Sequence, residues 1–353
     1  VSALDSGAPR ALRRATGRAG RRGRSVSTFE PPWLVADIGG TNARFGLVTS
    51  PGTPPSGVVV LPGADYRTLP EAVAAYLAEH AGGVRPGAAC LALAGPVNGD
   101  RYELTNSPWA GSARDLGVPY VALLNDFEAL ALSLPHLGGD DLVPLGGPEP
   151  GHGVKAVLGP GTGLGVAGLV PVDDGWIPVP GEGGHVTVPV LDERELELVR
   201  VLRARGPVVA EHVLSGPGLA RLHRALAEVN GVPADELTAS EIVARPDDPL
   251  CAETVEVFCG MLGSFAGNVA LTLGARGGVY LGGGVLPRIV ERVRAGDFRA
   301  RFAANPDMSG YLSAVATTLI VTPQPALTGA AAWLAQRASG TGAPFVAPEE
   351  NHP

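Results

Sequence analysis

Apolar residues recur with a two-residue period on either side of two glycine-rich turns. Residues 34–48, LVADIGGTNARFGLV, and residues 154–170, VKAVLGPGTGLGVAGLV, each read as strand, glycine turn, strand. Two hairpins of one design predict a duplicated α/β unit rather than one continuous sheet. A third glycine turn follows a short apolar strand in residues 278–286, GVYLGGGVL. Helical periods fill the intervals. Thr68-x-x-Glu71 reads as a capping box with Pro70 in the first turn, opening a helix with Leu69, Val73, Tyr76 and Leu77 on one face. A short helix runs from Asp126 to Leu134, and another from Asp192 to Arg205, stopped by Gly206-Pro207. Leu219, Leu222, Leu226 and Val229 mark a further helix, and Thr238-x-x-Glu241 a second capping box. Leu250 to Leu273 is apolar nearly all round, which predicts a buried central helix in which Gly260, Gly263 and Gly267 allow close helix approach. Segments 287–295 and 326–338 complete the helices.

Length and composition narrow the classes. A chain of 353 residues holds about two domains at ~100–200 residues each. Apolar residues at 45% exclude global disorder, and no apolar run reaches 18 residues without a Gly, Pro or polar break, so no membrane partner is expected. Net charge is −8, yet residues 1–24 carry seven Arg and one acid, Asp5, so the remainder is more acidic still. An acidic body argues against a nucleic-acid partner. Lys155 is the sole lysine, so an anionic ligand must rely on backbone N–H groups or a metal ion. Cys90, Cys251 and Cys259 lack CxxC spacing, which fits a reducing, cytoplasmic setting without structural zinc. Residues 1–32 are aperiodic and basic, with no secretory apolar core, and are expected to be a disordered arm; residues 340–353 are expected to be a disordered tail.

Candidate chemistry sits at the turns. Asp37 precedes Gly39, Gly40, Thr41 and Asn42, where a tight turn lets N–H groups approach a phosphate and the acid can hold a metal ion. The alternative is a plain hairpin turn. Gly159 to Gly165 is neither a P-loop nor a dinucleotide fingerprint; Pro160 cannot donate, which leaves Gly161, Thr162 and Gly163. Asn125 and Asp126 stand where a strand ends and a helix starts, so Asp126 is either an N-cap or a general base. Glu182 and His185 share a glycine loop, and Glu211 precedes a Ser-Gly-Pro-Gly turn; these types read paired hydroxyl donors and acceptors, though Glu211 also fits an ordinary surface acid.

In order along residues 33–337, ADIGGTNARFGL, LAGPVNGD, TNSPW, LNDFEA, GPGTGLGVA, PGEGGHV, VLSGPGL, GGVYLGGGV and PALTGA resemble the ATP-dependent glucokinases of bacteria, within the hexokinase and actin-like ATPase superfamily. The resemblance implies a two-domain actin-like ATPase fold, a duplicated ribonuclease H-like α/β unit with an interdomain active-site cleft. It implies a small domain of residues 33–136 plus 325–339 and a large domain of residues 137–324. Asp126 would be the catalytic base, with Asn106, Asn125, Glu182, His185 and Glu211 holding glucose. Asp37 to Asn42 and Gly161 to Gly163 would contact the ATP phosphates and Mg²⁺, with Asp37 as the metal-facing acid, and Gly282, Gly283 and Gly284 would contact the adenosine. The family often has an Asp two residues after the His, where this chain has Thr187. A related kinase group marked by a Cys-rich zinc motif is disfavoured, since that cluster is missing. The implied activity is transfer of the γ-phosphoryl of MgATP to the 6-hydroxyl of glucose. Rival readings are a kinase for fructose or mannose, a sugar-sensing regulator on the same fold, and a nucleotide-dependent structural ATPase. Homodimerisation is left open.

Overall fold

The structure, a computed structural model, describes residues 29–340. Its first half contains β1 (Trp33–Ile38), β2 (Asn42–Val48), β3 (Ser56–Pro62), β4 (Ala88–Leu93), a small meander of β5 (Val97–Asn98), β6 (Arg101–Glu103) and β7 (Ala110–Ser112), and β8 (Val121–Asn125). Its second half contains β9 (Leu142–Gly146), β10 (Lys155–Pro160), β11 (Leu164–Val172), β12 (Gly175–Gly181), β13 (Val279–Leu281) and β14 (Thr317–Ile320). One sheet has the order β3-β2-β1-β4-β8, the other β12-β11-β10-β13-β14-β9. In each, a three-strand antiparallel meander is extended by two parallel strands; β9 adds an antiparallel edge to the second. The duplication predicted from the two hairpins is therefore present at the level of whole sheets.

The helices follow the same repeat. α1 (Leu69–Glu79) joins β3 to β4, and α2 (Asp126–Ser133) follows β8. α3 (Glu193–Arg203), α4 (Gly216–Asn230), α5 (Ala239–Val243) and α6 (Pro249–Leu273) join β12 to β13. α7 (Val290–Ala295), α8 (Phe298–Phe302) and α9 (Ser309–Ser313) precede β14, and α10 (Pro325–Ala338) follows it. α2 and α10 thus occupy equivalent places in the two repeats, and they pack against each other. Each also crosses over. α2, continuous with the first sheet, lies on β10, β11 and β12, while α10, continuous with the second, lies on β1 and β4. The period of two in β1 serves this arrangement: Leu34, Ala36 and Ile38 face α1, while Trp33 and Val35 face the layer between the sheets. That middle layer joins Ala129, Leu132, Leu327 and Leu334 to Val157, Leu169 and Tyr280 of the second sheet.

Three expectations change in detail. The basic arm was expected to reach residue 32, but Phe29 stacks on the Tyr120 ring with centroids 4.6 Å apart, and Gly87 N–H donates to Pro32 O at 3.0 Å, so packing starts at residue 29. The remaining arm residues, 1–28, and the tail from 341 lie outside the described residues. At α1, Thr68 Oγ1 accepts from Glu71 N–H as predicted, but Glu71 reaches back to Arg67 N–H, one residue early; the Thr238 and Glu241 box is reciprocal. Finally, the glycines of α6 differ. A Cβ at Gly263 or Gly267 would strike the carbonyl of Phe298 or Phe302 on α8, whereas at Gly260 the nearest neighbour is 3.9 Å away. α6 is long and apolar enough by composition to cross a membrane, but most of it is buried inside the protein.

This difference is testable. Gly263→Ala should lower stability by about 1–3 kcal/mol through overpacking. Gly260→Ala should be neutral or raise it by up to about 1 kcal/mol through helix propensity. Urea midpoints of the two variants check the contrast; equal loss in both would contradict the packing account.

Candidate active site

Asp37, next to last in β1, faces Arg44 across the β1–β2 hairpin, with Arg44 Nη1 3.3 Å from Asp37 Oδ2. Burial raises the Asp37 pKa, and the Arg44 charge opposes that rise. Gly39 N–H donates to Asn42 O at 3.0 Å, which tightens the turn. Gly40 is required by close approach: a Cβ there would lie 2.6 Å from Asn106 Cβ. The structure therefore brings Asn106, a residue of the TNSPW segment, onto the Asp37 loop.

At the end of β8 the chain enters α2. Asn125 is the N-cap, and Asp126 is the first helical residue, which corrects the alternative that Asp126 itself caps. Phe127 N–H donates to Asn125 Oδ1 at 2.9 Å and to Asp126 Oδ1 at 3.0 Å. Asn125 N–H donates in turn to Glu128 Oε2 at 2.9 Å, completing a capping box. With its oxygen engaged, Asn125 offers its NH₂ group. Asp126 has one oxygen held and one available. Its pKa is raised to about 6, chiefly by burial and then by the charge of Asp37, with Glu182 adding a smaller push. The same influence marks Asp37, Asp126 and Glu182 as neighbours.

The second hairpin approaches from the other sheet. Gly161 N–H donates to Gly163 O at 2.8 Å, and Gly161 O accepts from Gly216 N–H at 2.8 Å. Of the three donors expected here, Gly161 is thus engaged internally, which leaves the N–H groups of Thr162 and Gly163 for an anion. Glu211 braces this turn: its Oε2 accepts from Leu164 N–H at 2.9 Å. A Cβ on Gly163 would lie 2.5 Å from the same oxygen. The surface-acid alternative for Glu211 does not describe this setting.

Glu182 and His185 flank a single turn, Gly183–His185, after β12. His185 Nε2 stands 3.9 Å from Glu182 Oε2, with the two side chains 60% and 88% exposed, so both present polar atoms to open solvent. A Cβ on Gly184 would strike Leu164 O, which explains the paired glycines of GEGGH by packing on β11. Ala210 N–H donates to Val186 O at 2.8 Å and so ties this loop to the Glu211 turn. Past β13, Gly283 adopts φ +88° against Pro160 O, and Gly282 N–H donates to Leu158 O at 2.8 Å, which sets the third glycine turn beside the second hairpin.

All candidate residues therefore fall on adjoining turns at one end of the two sheets. A cavity of about 680 Å³ opens beside them between β8 and β12; it takes in Asn125, Glu128 and Glu182, with Tyr120, Trp176 and Trp333 on its walls. Sequence reasoning missed Arg44, Phe127 and Glu128 as contributors. Arg44 was recoverable, because residues spaced evenly about a hairpin turn face each other. Glu128 was recoverable as the third helical residue after an Asn cap. Phe127 carried no signal of its own.

The profile of the glucokinase family matches residues 34–337. A glucokinase from Aromatoleum aromaticum is 46% identical over 318 residues, covering 88% of this chain and 96% of that protein. The crystal structure of a glucokinase from an Antarctic psychrotroph superposes with a TM-score of 0.79 at 36% identity, over 86% of this chain and 98% of that one. A ROK family glucokinase from Streptomyces griseus, solved in complex with glucose and AMPPNP, shares the fold with a TM-score of 0.56 at 20% identity, over 85% of this chain and 98% of that one. The matched span holds both hairpins, the start of α2 and every turn of the candidate site, and on that likeness this chain belongs to the glucokinase family.

Proposed function

We propose that this chain transfers the γ-phosphoryl group of ATP to the 6-hydroxyl of glucose, giving glucose 6-phosphate and ADP at the entry to glycolysis. The observation that carries this reading is the setting of Asp126, a carboxylate in the first turn of α2 whose pKa burial and the charge of Asp37 raise to about 6. A sugar hydroxyl is a poor nucleophile at neutral pH. As its oxygen bonds to the γ-phosphorus and the bond from phosphorus to the ADP oxygen breaks, the hydroxyl proton passes to the available oxygen of Asp126. A base poised near the working pH contributes about 10²–10⁴-fold.

The other groups divide the remaining work. Asn125, Asn106, Glu182, His185 and Glu211 bind the sugar hydroxyls, with the Asn125 NH₂ group as donor and the carboxylates as acceptors. Thr162 and Gly163, with Gly40 to Asn42, receive phosphate oxygens on backbone N–H groups; Gly39, expected among these donors, instead gives its N–H to Asn42 O. The Gly282 to Gly284 turn, which follows β13, would contact the adenosine. Among the described residues no group of three or more His, Cys, Asp or Glu forms a metal cage. Mg²⁺ needs only one or two carboxylates when it rides on substrate phosphates, and Asp37 suits that task, its orientation fixed by Arg44. Bound there, Mg²⁺ would offset charge on the transferred group. The three cysteines are buried and free, in keeping with a cytoplasmic setting.

Two experiments test the reading. ADP release measured across a hexose panel should be fastest with glucose; greater kcat/KM for fructose or mannose would reassign the substrate, and equal ADP release without sugar would favour a plain ATPase. Asp126→Asn should cut kcat by about 10²-fold or more while glucose still binds, because the amide keeps the Phe127 hydrogen bond and loses the base. For the parent, kcat should fall as pH drops through about 6, where Asp126 takes up a proton.

The same substitution should stabilise the fold. A carboxyl whose pKa rises on folding disfavours the folded state once ionised. Asp126→Asn should therefore be more stable above pH 6 by up to about 3 kcal/mol. That gap should close as pH falls from about 6 toward 3.8, where the parent carboxyl is neutral in both states. Denaturant midpoints against pH check the sign; a less stable variant at pH 8 would contradict the buried-charge account.

A further inference from the structure

Phe127 belongs neither to the sugar-binding set nor to the phosphate turns, yet it touches Asn125 and Asp126 on one side and the strand that leaves the second glycine turn on the other. Its backbone N–H orients Asn125 and Asp126 together, at 2.9 and 3.0 Å. Its ring lies on Gly165, the second residue of β11 and two residues beyond Gly163. A Cβ built on Gly165 would fall among the ring carbons Cδ2, Cε2 and Cζ. Nothing else demands glycine there. Gly165 has no positive φ, and it sits in regular antiparallel pairing opposite Gly159. The missing side chain is space that the ring occupies.

α2 packs on α10 and on β10, β11 and β12, and at two of these contacts a glycine permits the close approach. One is on α10, where a Cβ at Gly329 would strike Ala129 O. The other is the Phe127 ring on the second hairpin. We propose that Phe127 is a positioning residue for phosphoryl transfer: its ring, seated on Gly165, sets the separation between the Asp126 carboxylate and the phosphate turn. The inference rests on the reading of Asp126 as base and of residues 161–163 as a phosphate turn. In-line transfer tolerates little error in that separation, since a misplacement of about 1 Å costs about 10²-fold.

The test is a compensating pair, Gly165→Ala and Phe127→Leu, alone and combined, with kcat, both KM values and thermal midpoints recorded. Gly165→Ala should lower kcat by about 10–100-fold, with KM for glucose and ATP held within a factor of about three. Adding Phe127→Leu should make room for the new methyl, so the double variant should turn over faster than Gly165→Ala alone. Parent-like kcat in Gly165→Ala, a loss carried by KM instead, or a double variant no faster than the single would each overturn the proposal. Should Gly165→Ala not accumulate as folded protein, Phe127→Ala decides. It keeps the N–H and removes the ring, so kcat should fall about tenfold or more at unchanged KM; parent-like kcat overturns the proposal. Failure of the underlying reading is separately visible as turnover retained by Asp126→Asn.

Discussion

The packing of α2 against α10, in a layer shared by both sheets, is the contact on which the other features depend. Each helix leaves one sheet and settles on the other, so neither repeat completes its inner face alone. Gly329 makes the crossing close enough, because its carbon sits on the backbone of Ala129 and no side chain fits between. Burial of that layer draws the two sheets together by the hydrophobic effect. It also delivers the first turn of α2 to the end of both sheets, where the glycine turns gather. The placement of Asp126 is thus a result of core packing before it is a feature of chemistry.

That placement has an electrostatic consequence. A carboxylate at the start of a helix ordinarily gains from the helix dipole and from backbone donors. Asp126 has such a donor in Phe127 N–H, yet burial and the nearby charge of Asp37 outweigh it, and the pKa rises to about 6. Asp37 is itself raised by burial, against the pull of Arg44. Two acids held close together disfavour joint ionisation, so charging Asp37 and Asp126 together carries an electrostatic cost. A divalent cation on ATP phosphates would relieve Asp37, and a hydroxyl proton would relieve Asp126. On the proposed reading, both ligands would meet the acids whose ionisation the protein itself disfavours.

Much of this was readable in the sequence, for physical reasons that also explain the gaps. Turns that need glycine announce themselves, so the segments around Gly39, Gly161 and Gly282 were legible, and so was the repeat built on the two hairpins. Asp126 was legible as an acid at a strand-to-helix junction, where an N-cap and a general base look alike, and the resemblance favoured the base. What stayed hidden depends on contacts between distant segments. Glu211 is 47 residues from the Leu164 N–H that it accepts from, so composition alone could not separate it from a surface acid. Gly260 and Gly263 look alike in α6, and only the position of α8 tells them apart. Gly161 reads as a free donor until the turn closes on Gly163 O. The crossing of α2 and α10 has no local signature at all.

If sugar contacts are divided between the two repeats, glucose binding should favour a closed arrangement, with α2 and α10 as the pivot. Closure would also keep water from taking the phosphoryl group. Small-angle X-ray scattering with and without saturating glucose, read together with ATP hydrolysis in the absence of sugar, tests this most directly. The radius of gyration should fall on adding glucose, and sugar-free hydrolysis should be far slower than phosphorylation. An unchanged radius together with sugar-free hydrolysis as fast as phosphorylation would contradict the account.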